Sequence, residues 1–345
     1  MRRWGAIVAL ALTTALAACA TAPTQPPPFA WSDLPGWSAE DHVAALAAVS
    51  AACRTRRDPA LTPTCRRLTA SPPADEASAR RFLEASFQIE PLPGQGLLTA
   101  YFAPQYEARA AAEPPFTAPV LPAPPNANTS GANAPGGPNP PSPDRAAIEA
   151  APVDGALAWM KPEDLFFLQL QGSGVLVLPG GQRLKAAFAG TNGQPFVGIA
   201  RIMVDRGLLD PAHSSGDQIR AWLAAHRGAD ADAVMDQDPR YAYFTVRPDD
   251  GTEPAGAAGV PLPPGRALAM DPSLHQLGGL YWIDAAAPSL AGAFPVYRRL
   301  AAALDTGAAI KGVIRADLYT GSGDAAGLEA GRVKHVLRLY RLAPR

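Results

Sequence analysis

The sequence predicts a mainly β fold with some α-helix, its last third a compact β-barrel. Three observations carry that expectation. From Tyr241 onward the apolar runs are short, regularly spaced and separated by Gly and Pro, the pattern of short strands closing on themselves. Helical spacing of apolar residues occurs in separate stretches, before Phe87 and between Gly198 and Ala225. The 345 residues include 38 prolines and show no internal repeat, so much of the chain is turn or extended segment, with room for two modest domains.

In chain order, Arg2 and Arg3 precede an apolar core from Trp4 to Leu16, of signal-peptide length. It ends in Leu16-Ala17-Ala18-Cys19, which resembles a bacterial lipobox, where small residues fit the peptidase and the cysteine receives lipid. Residues 1–19 are therefore expected to be a lipoprotein signal peptide, with Cys19 as the acylated residue and membrane anchor. The plainer alternative is an ordinary cleaved signal in which Cys19 is incidental. Several acyl chains on one residue hold far more firmly than a single myristoyl group. Ala20 fits outer-membrane transport, so the expected location is that of an outer-membrane lipoprotein facing the periplasm of a Gram-negative bacterium. Residues 20–35, rich in Pro, read as a tether. No later apolar span is long enough to cross a bilayer.

Asp41 to Cys53 has apolar residues at near-helical spacing, with Ser38 or Asp41 as cap, and Asp75 to Phe87 reads as a second helix. Cys53 and Cys65, an even pair in an exported chain, are a candidate disulfide, worth ~3 kcal/mol at best for so short a loop. Leu97 to Phe102 is a strand ended by Pro104. Residues 113–143 are dominated by Pro, Ala, Asn and Gly and read as a surface loop without structure of its own. Strands follow at Val175–Leu178 and Leu184–Phe188, then helices at Gly198–Arg206 and Gly216–Ala225, the second capped by Ser214-Ser215. Further strands are expected at Tyr241–Val246, Leu280–Ile283, Gly312–Ile314 and Val336–Tyr340. A net charge of −1 leaves no basic field for nucleic acid, and five scattered His make no ligand cluster, so neither metal nor cofactor is expected.

Three aspartates stand out. Asp271 follows Leu268-Ala269-Met270, Asp305 follows Leu304, and Asp317 lies in Ala316-Asp317-Leu318, each in or beside an apolar run where an ionised carboxylate is costly unless paired. Asp305 and Asp317 are twelve positions apart with glycines after each, and glycine lets a backbone turn sharply. Crowding two carboxyl groups raises one pKa, and a carboxyl protonated near neutral pH is what acid cleavage of a sugar acetal requires. For each Asp taken alone, a turn or cap is the commoner role. Asp305-Thr306-Gly307 also has the aspartic-protease triplet, but no second copy exists to share the proton. Gln171-Gly172-Ser173-Gly174 lacks the first glycine of a nucleophile elbow; a tight turn whose amides meet a sugar, or an ordinary turn, fits better.

An ordered series of motifs resembles the membrane-bound lytic murein transglycosylase A family. The signposts are Leu98-Thr99-Ala100-Tyr101-Phe102-Ala103-Pro104, Asp164 to Gly174, Phe188-Ala189-Gly190-Thr191-Asn192-Gly193, and Asp238-Pro239-Arg240-Tyr241-Ala242-Tyr243-Phe244. Gly259-Val260-Pro261-Leu262 through Arg266 and the two-aspartate segment complete it, the match running from about Gly96 to Pro344. The three aspartates match those for which the family's C-terminal 3D domain is named. Departures are Ala100-Tyr101-Phe102 for the usual Gly-Tyr-Tyr, and Ala308 for the first of two glycines.

The resemblance implies a double-psi β-barrel with an inserted second β-domain and a groove between them. Residues 36–102 and 248–345 would be the barrel with N-terminal helices, and 103–247 the insertion. It implies a peptidoglycan lytic exotransglycosylase, a monomer needing no cofactor, that cuts the β-1,4 bond between N-acetylmuramic acid and N-acetylglucosamine without water and leaves a 1,6-anhydro end. By matching position Asp317 would be the sole acid/base, with Asp305 and Asp271 supporting it. Thr99, Tyr101, Gln171, Ser173 and Asn192 would bind the glycan strand. A non-catalytic peptidoglycan-binding lipoprotein and a glycan hydrolase using Asp305 as base are the competing readings.

Overall fold

A computed structural model describes residues 29–127, 143–210, 215–290 and 292–345. The signal segment with Cys19, tether residues 20–28, loop residues 128–142 and Ser214 lie outside the described residues. Among those described, no helix is long and apolar enough to cross a membrane.

The first described residues lie against the barrel. Phe29 bridges to Ile89 and packs on Tyr340, and Trp31 packs on Trp37, so residues 29–35 belong to the folded body. The expected tether is therefore corrected at this end: two aromatic side chains bury better than they span solvent. Three helices follow: α1 (His42–Thr55), α2 (Thr62–Ala70) and α3 (Glu76–Ser86). Asp41 caps α1 by accepting from the Ala44 amide, and Asp75 forms a capping box with Ser78 on α3. Phe87, expected to end the second helix, instead opens a strand, and α2 was not anticipated. Cys53 on α1 and Cys65 on α2 are joined by a disulfide.

Strands β1 (Phe87–Pro91) and β2 (Gly96–Ala103) begin the main sheet. The chain then leaves it for β3 (Gln105–Glu107), β4 (Ala118–Val120), α4 (Arg145–Glu149), β5 (Ala158–Met160), α5 (Pro162–Gln171), β6 (Ser173–Val177) and β7 (Arg183–Thr191). It continues through α6 (Ile199–Asp205), α7 (Gly216–Ala225), α8 (Ala229–Met235) and β8 (Ala242–Pro248). It returns for β9 (Ala267–Met270), β10 (Leu280–Pro288), β11 (Tyr297–Asp305), β12 (Arg315–Ser322), α9 (Asp324–Ala330) and β13 (Lys334–Pro344).

The main sheet has the order β1-β13-β10-β11-β9-β12-β2, and β13 also pairs with β2, so six strands close into the expected barrel with β1 added outside. Pairs β11–β9 and β12–β2 are parallel, the rest antiparallel. All six barrel strands send apolar side chains to one interior, among them Leu98, Met270, Ile283, Ala301, Leu318 and Leu339. On the outside, Trp37, Val49 and Leu83 from the helical region pack with Trp282, Leu300 and Tyr319 of the barrel. Burial of such side chains, at roughly 1.5–3 kcal/mol each, is what holds the helices to the barrel.

The intervening residues build a second unit, a sheet of order β3-β6-β7-β8 with α5 packed on it. β4 and β5 pair beside it, which corrects the reading of 113–143 as wholly unstructured. Pro119 takes no donor role there, and Val120 is fully buried. Gly312–Ile314, expected as a strand, is a turn: Gly312 has φ +114° and its amide donates to Asp271, so the strand starts only at Arg315.

Candidate active site

The register of the barrel builds the site. Thr99 on β2 pairs with Asp317 on β12, Asp317 pairs with Ala269 on β9, and Ala269 pairs with Asp305 on β11. Four strands thus place Thr99, Asp317, Ala269 and Asp305 in one row. The two aspartates are separated by two strand spacings, about 10 Å at the backbone, and Ala269 between them leaves an open floor. The Thr99 hydroxyl donates to Asp317 Oδ1. One pleat further, Tyr319 and Tyr101 pair, with ring centroids 5.3 Å apart.

The second unit closes over this row. A cleft of about 470 Å³ is lined on the barrel side by Tyr101, Ala269, Asp305 and Asp317, and opposite by Gln171, Ser173, Phe188 and Arg240. Gly172, at φ +81°, ends α5 in the left-handed conformation and turns Gln171 and Ser173 to this wall. Gln171 Oε1 is buried without a hydrogen-bond partner among the described residues. The same face is steadied from behind by Arg145, which is 1% exposed and donates to the carbonyls of Asp238 (3.0 Å) and Arg240 (2.7 Å).

The two carboxyl groups differ in their surroundings. Asp305 Oδ1 accepts from the amides of Ala257 and Thr306, both at 2.9 Å, and Oδ2 accepts from the Tyr101 hydroxyl at 2.8 Å. Burial pushes the Asp305 carboxyl up, and those three donors pull it back in part. Burial likewise pushes Asp317 up; the Thr99 hydroxyl and the Arg315 guanidinium oppose it, and the Asp305 charge adds to it. Burial and the Asp305 carboxylate hold Tyr101 well above its usual pKa, so it remains a donor. Asp317 Oδ2 has no partner among the described residues.

Asp271 lies away from the cleft. Its Oδ1 accepts from the Ser273 amide and hydroxyl and its Oδ2 from the Gly312 amide at 3.1 Å; the Ser273 hydroxyl is the largest cause of a lowered pKa. His275 Nε2 meets the Val313 carbonyl at 2.9 Å, so these two residues fix the loop joining Asp305 to Asp317. Asn192 is not brought to the cleft, and its expected glycan contact is corrected. It is 2% exposed, its Nδ2 donates to the carbonyls of Pro143 and Pro239, and its Oδ1 accepts from the Tyr241 amide. Its polar atoms hold backbone, leaving nothing to offer a ligand. No group of three His, Cys, Asp or Glu among the described residues could hold a metal ion.

With this geometry in place, comparison with known proteins is informative. The MltA specific insert domain matches residues 97–245 and the 3D domain residues 266–343. Membrane-bound lytic murein transglycosylase A of Vibrio cholerae is 33% identical over 261 residues, covering 72% of this chain and 66%, just under two thirds, of its own length. The crystal structure of the membrane-bound lytic murein transglycosylase from Agrobacterium tumefaciens superposes with a TM-score of 0.78 at 32% identity, covering 92% of this chain and 97% of that one. The chain belongs to the membrane-bound lytic murein transglycosylase A family. That places it among the peptidoglycan lytic transglycosylase enzymes. Another solved structure, the lytic transglycosylase LtgG of Burkholderia pseudomallei, is 32% identical with a TM-score of 0.62, covering 92% of this chain and 95% of its own.

Within this family frame, the structure adds residues that sequence reasoning missed. Ala257 supplies an amide to Asp305, and the signal was Gly256: a Cβ there would lie 2.5 Å from the Leu304 carbonyl and 3.1 Å from Asp305 Cβ, so only glycine permits the approach. Ala269, Phe188 and Arg240 left no signal beyond lying in or near apolar or motif segments.

Proposed function

We propose that this member cleaves the β-1,4 bond between N-acetylmuramic acid and N-acetylglucosamine of peptidoglycan without water, leaving a 1,6-anhydro end, with Asp317 as single acid/base. The observation that carries the assignment is the asymmetry of the two carboxyl groups in one row. Asp305 is pinned by three donors that favour its ionised form, whereas Asp317 lines the cleft with Oδ2 unpartnered among the described residues and a neighbouring negative charge favouring its proton. Protonated Asp317 gives its proton to the glycosidic oxygen as the C1–O bond breaks and oxocarbenium character develops. The resulting carboxylate takes the proton of the muramoyl C6 hydroxyl as that oxygen bonds C1, and Asp317 ends protonated again. An internal nucleophile has high effective molarity, so no second nucleophilic carboxylate is required. Asp305 and Tyr101 hold charge and geometry beside the acid, Thr99 orients it, Asp271 positions its loop, and Gln171 and Ser173 meet the sugar. A single chain supplies every one of these groups, consistent with a monomer.

The barrel with its helices (36–102 and 248–345) and the insertion (103–247) are the proposed domains, and acylation of Cys19 the proposed link to the outer membrane. Relatives named membrane-bound support the coarse location. The test of chemistry is mass spectrometry of soluble products released from purified sacculi by the chain lacking residues 1–19. Anhydro-ended muropeptides, absent with Asp317→Asn, are expected. Reducing ends would make it a hydrolase, and binding without products a wall-binding module.

A further inference from the structure

The chain crosses between the barrel and the second unit twice, and one end of β7 grips both crossings. The outward crossing is Ala103-Pro104-Gln105; the return is Asp249 to Glu253. Arg183 Nη1 donates to Gln105 Oε1 at 3.1 Å, and Arg183 Nε donates to Asp249 Oδ2 at 3.0 Å. Lys185 Nζ donates to Asp250 Oδ1 at 2.5 Å, to the Thr252 carbonyl at 2.5 Å and to Thr252 Oγ1 at 2.9 Å. Lys185 is 3% exposed, and an ammonium so buried is retained only where partners replace its water. The next residue of the return crossing reaches the other way. Glu253 Oε2 accepts from the Tyr319 hydroxyl at 2.5 Å and from Ser322 Oγ at 2.8 Å, both on β12, the strand of Asp317. Tyr319 in turn packs on Tyr101, which donates to Asp305.

We infer that Lys185 and Glu253 are positioning residues: they pin residues 249–253 between β7 and β12 and so set the width of the cleft. β7 also carries Phe188, three residues beyond Lys185, and pairs Ala187 with Ser173. Moving Lys185 relative to the return crossing therefore moves the recognition wall relative to Asp317. A buried ammonium with three acceptors suits this task because its geometry is lost as a whole once the charge is removed. Without it, among the described residues the side-chain ties from β7 to the two crossings are those of Arg183, and the unit samples open arrangements. A site competent for a fraction of the time binds more weakly by that fraction, while its turnover once filled is little changed.

The kinetic part of this inference rests on the proposed function; the geometric part does not. Spin labels at Leu328→Cys on α9, which is 60% exposed, and at exposed Thr245→Cys on β8 report the separation of the two units. The parent is expected to give one narrow distance distribution, and Lys185→Met and Glu253→Gln a widened or shifted one. On soluble glycan strands, each substitution is expected to raise KM about fivefold or more with kcat within about twofold. The double variant should add little to the larger single effect, because both pins hold one segment. An unchanged distance distribution and unchanged KM in folded Lys185→Met overturn the inference, as does a loss confined to thermal stability. Should Lys185→Met not fold, Thr252→Val removes one acceptor and carries the same readouts. If the parent releases no product, the proposed function fails and the distance measurement still decides the clamp.

Discussion

The barrel and the unit that faces it differ in how their sheets close, although both hold ion pairs, Glu40–Arg266 and Asp284–Arg298 among those of the barrel part. The barrel closes on an apolar interior and, over the row from Thr99 to Asp305, sets two carboxyl groups in its outer face. The second unit leaves β3 and β8 as edges of its sheet and sets buried charges against more exposed partners: Arg145 with Glu149, Glu163 with Arg227, Asp164 with Arg220 and Lys185 with Asp250. A closed barrel offers a rigid, poorly solvated platform where burial raises a carboxyl's pKa. The open sheet of the second unit is tied down by half-buried ion pairs, which fix backbone direction. On the proposed function, chemistry and recognition are divided between a closed sheet and an open one.

The sharpest way to break this division is at the acids. Asp317→Asn is expected to lower product release by about 100- to 10,000-fold with circular dichroism unchanged, and Asp305→Asn to lower it by only about tenfold. Equal losses would erase the asymmetry between the free and the pinned carboxyl. On the other side, Arg145→Met should cost about 3–5 kcal/mol in denaturant unfolding, as expected when a buried pair loses one partner, since it also strands the carbonyls of Asp238 and Arg240. Its effect on activity should appear in KM rather than kcat.

A smaller effect reads the two barrel aspartates by pH. Asp305 and Asp317 have folded pKa values above their ordinary one, so the folded state holds protons that the unfolded chain has already released. Stability therefore falls as pH rises from the ordinary carboxylate range through the raised values, and stays lower above them. Removing the Asp317 charge should remove that residue's share of the slope. Asp317→Asn is expected to raise Tm at pH 7, by roughly 2–4 °C for each kcal/mol regained, while turnover of the parent falls as pH climbs through the same window. The smallest effect on activity lies at the helical region. Reducing Cys53–Cys65 should lower stability by up to about 3 kcal/mol, by the closed-loop argument, and leave KM and kcat at 25 °C unchanged. An altered KM would tie that region to the cleft.

Much of the secondary structure was legible where local signals were strong. Asp41, the apolar spacing of α1 and the capping of α7 gave helices within a residue or two of those found. Asp305 and Asp317 drew attention because carboxyl groups inside apolar runs are physically expensive. What stayed hidden depends on register and on distant partners. Nothing local says that Thr99 faces Asp317, or that Ala269 is the spacer between two acids. β11 was obscured by Arg298 and Arg299, and β4 by its proline. Val313 and Ile314 resembled a strand, but Asp271, more than 40 positions earlier in the chain, captures the Gly312 amide and bends the segment. Asn192 misled for the opposite reason: the resemblance implied a glycan contact, and its side-chain amide is spent on two carbonyls and a backbone amide.

The last strand has a consequence for when this protein becomes dangerous to its host wall. β13 joins β10 to β2, and until residues 334–344 exist the ring of strands is open. Thr99 is made early and waits for a partner 218 positions downstream, and even that partner sits on an unclosed sheet until the final strand docks. Pairings of such sequence separation form late, because the loop entropy must be overcome before contacts repay it. A nascent chain, or one clipped at its C-terminus, therefore carries Asp317 without the enclosure that raises its pKa. The connectivity works as an interlock: on the proposed function, competence to cut arrives only once β13 has docked.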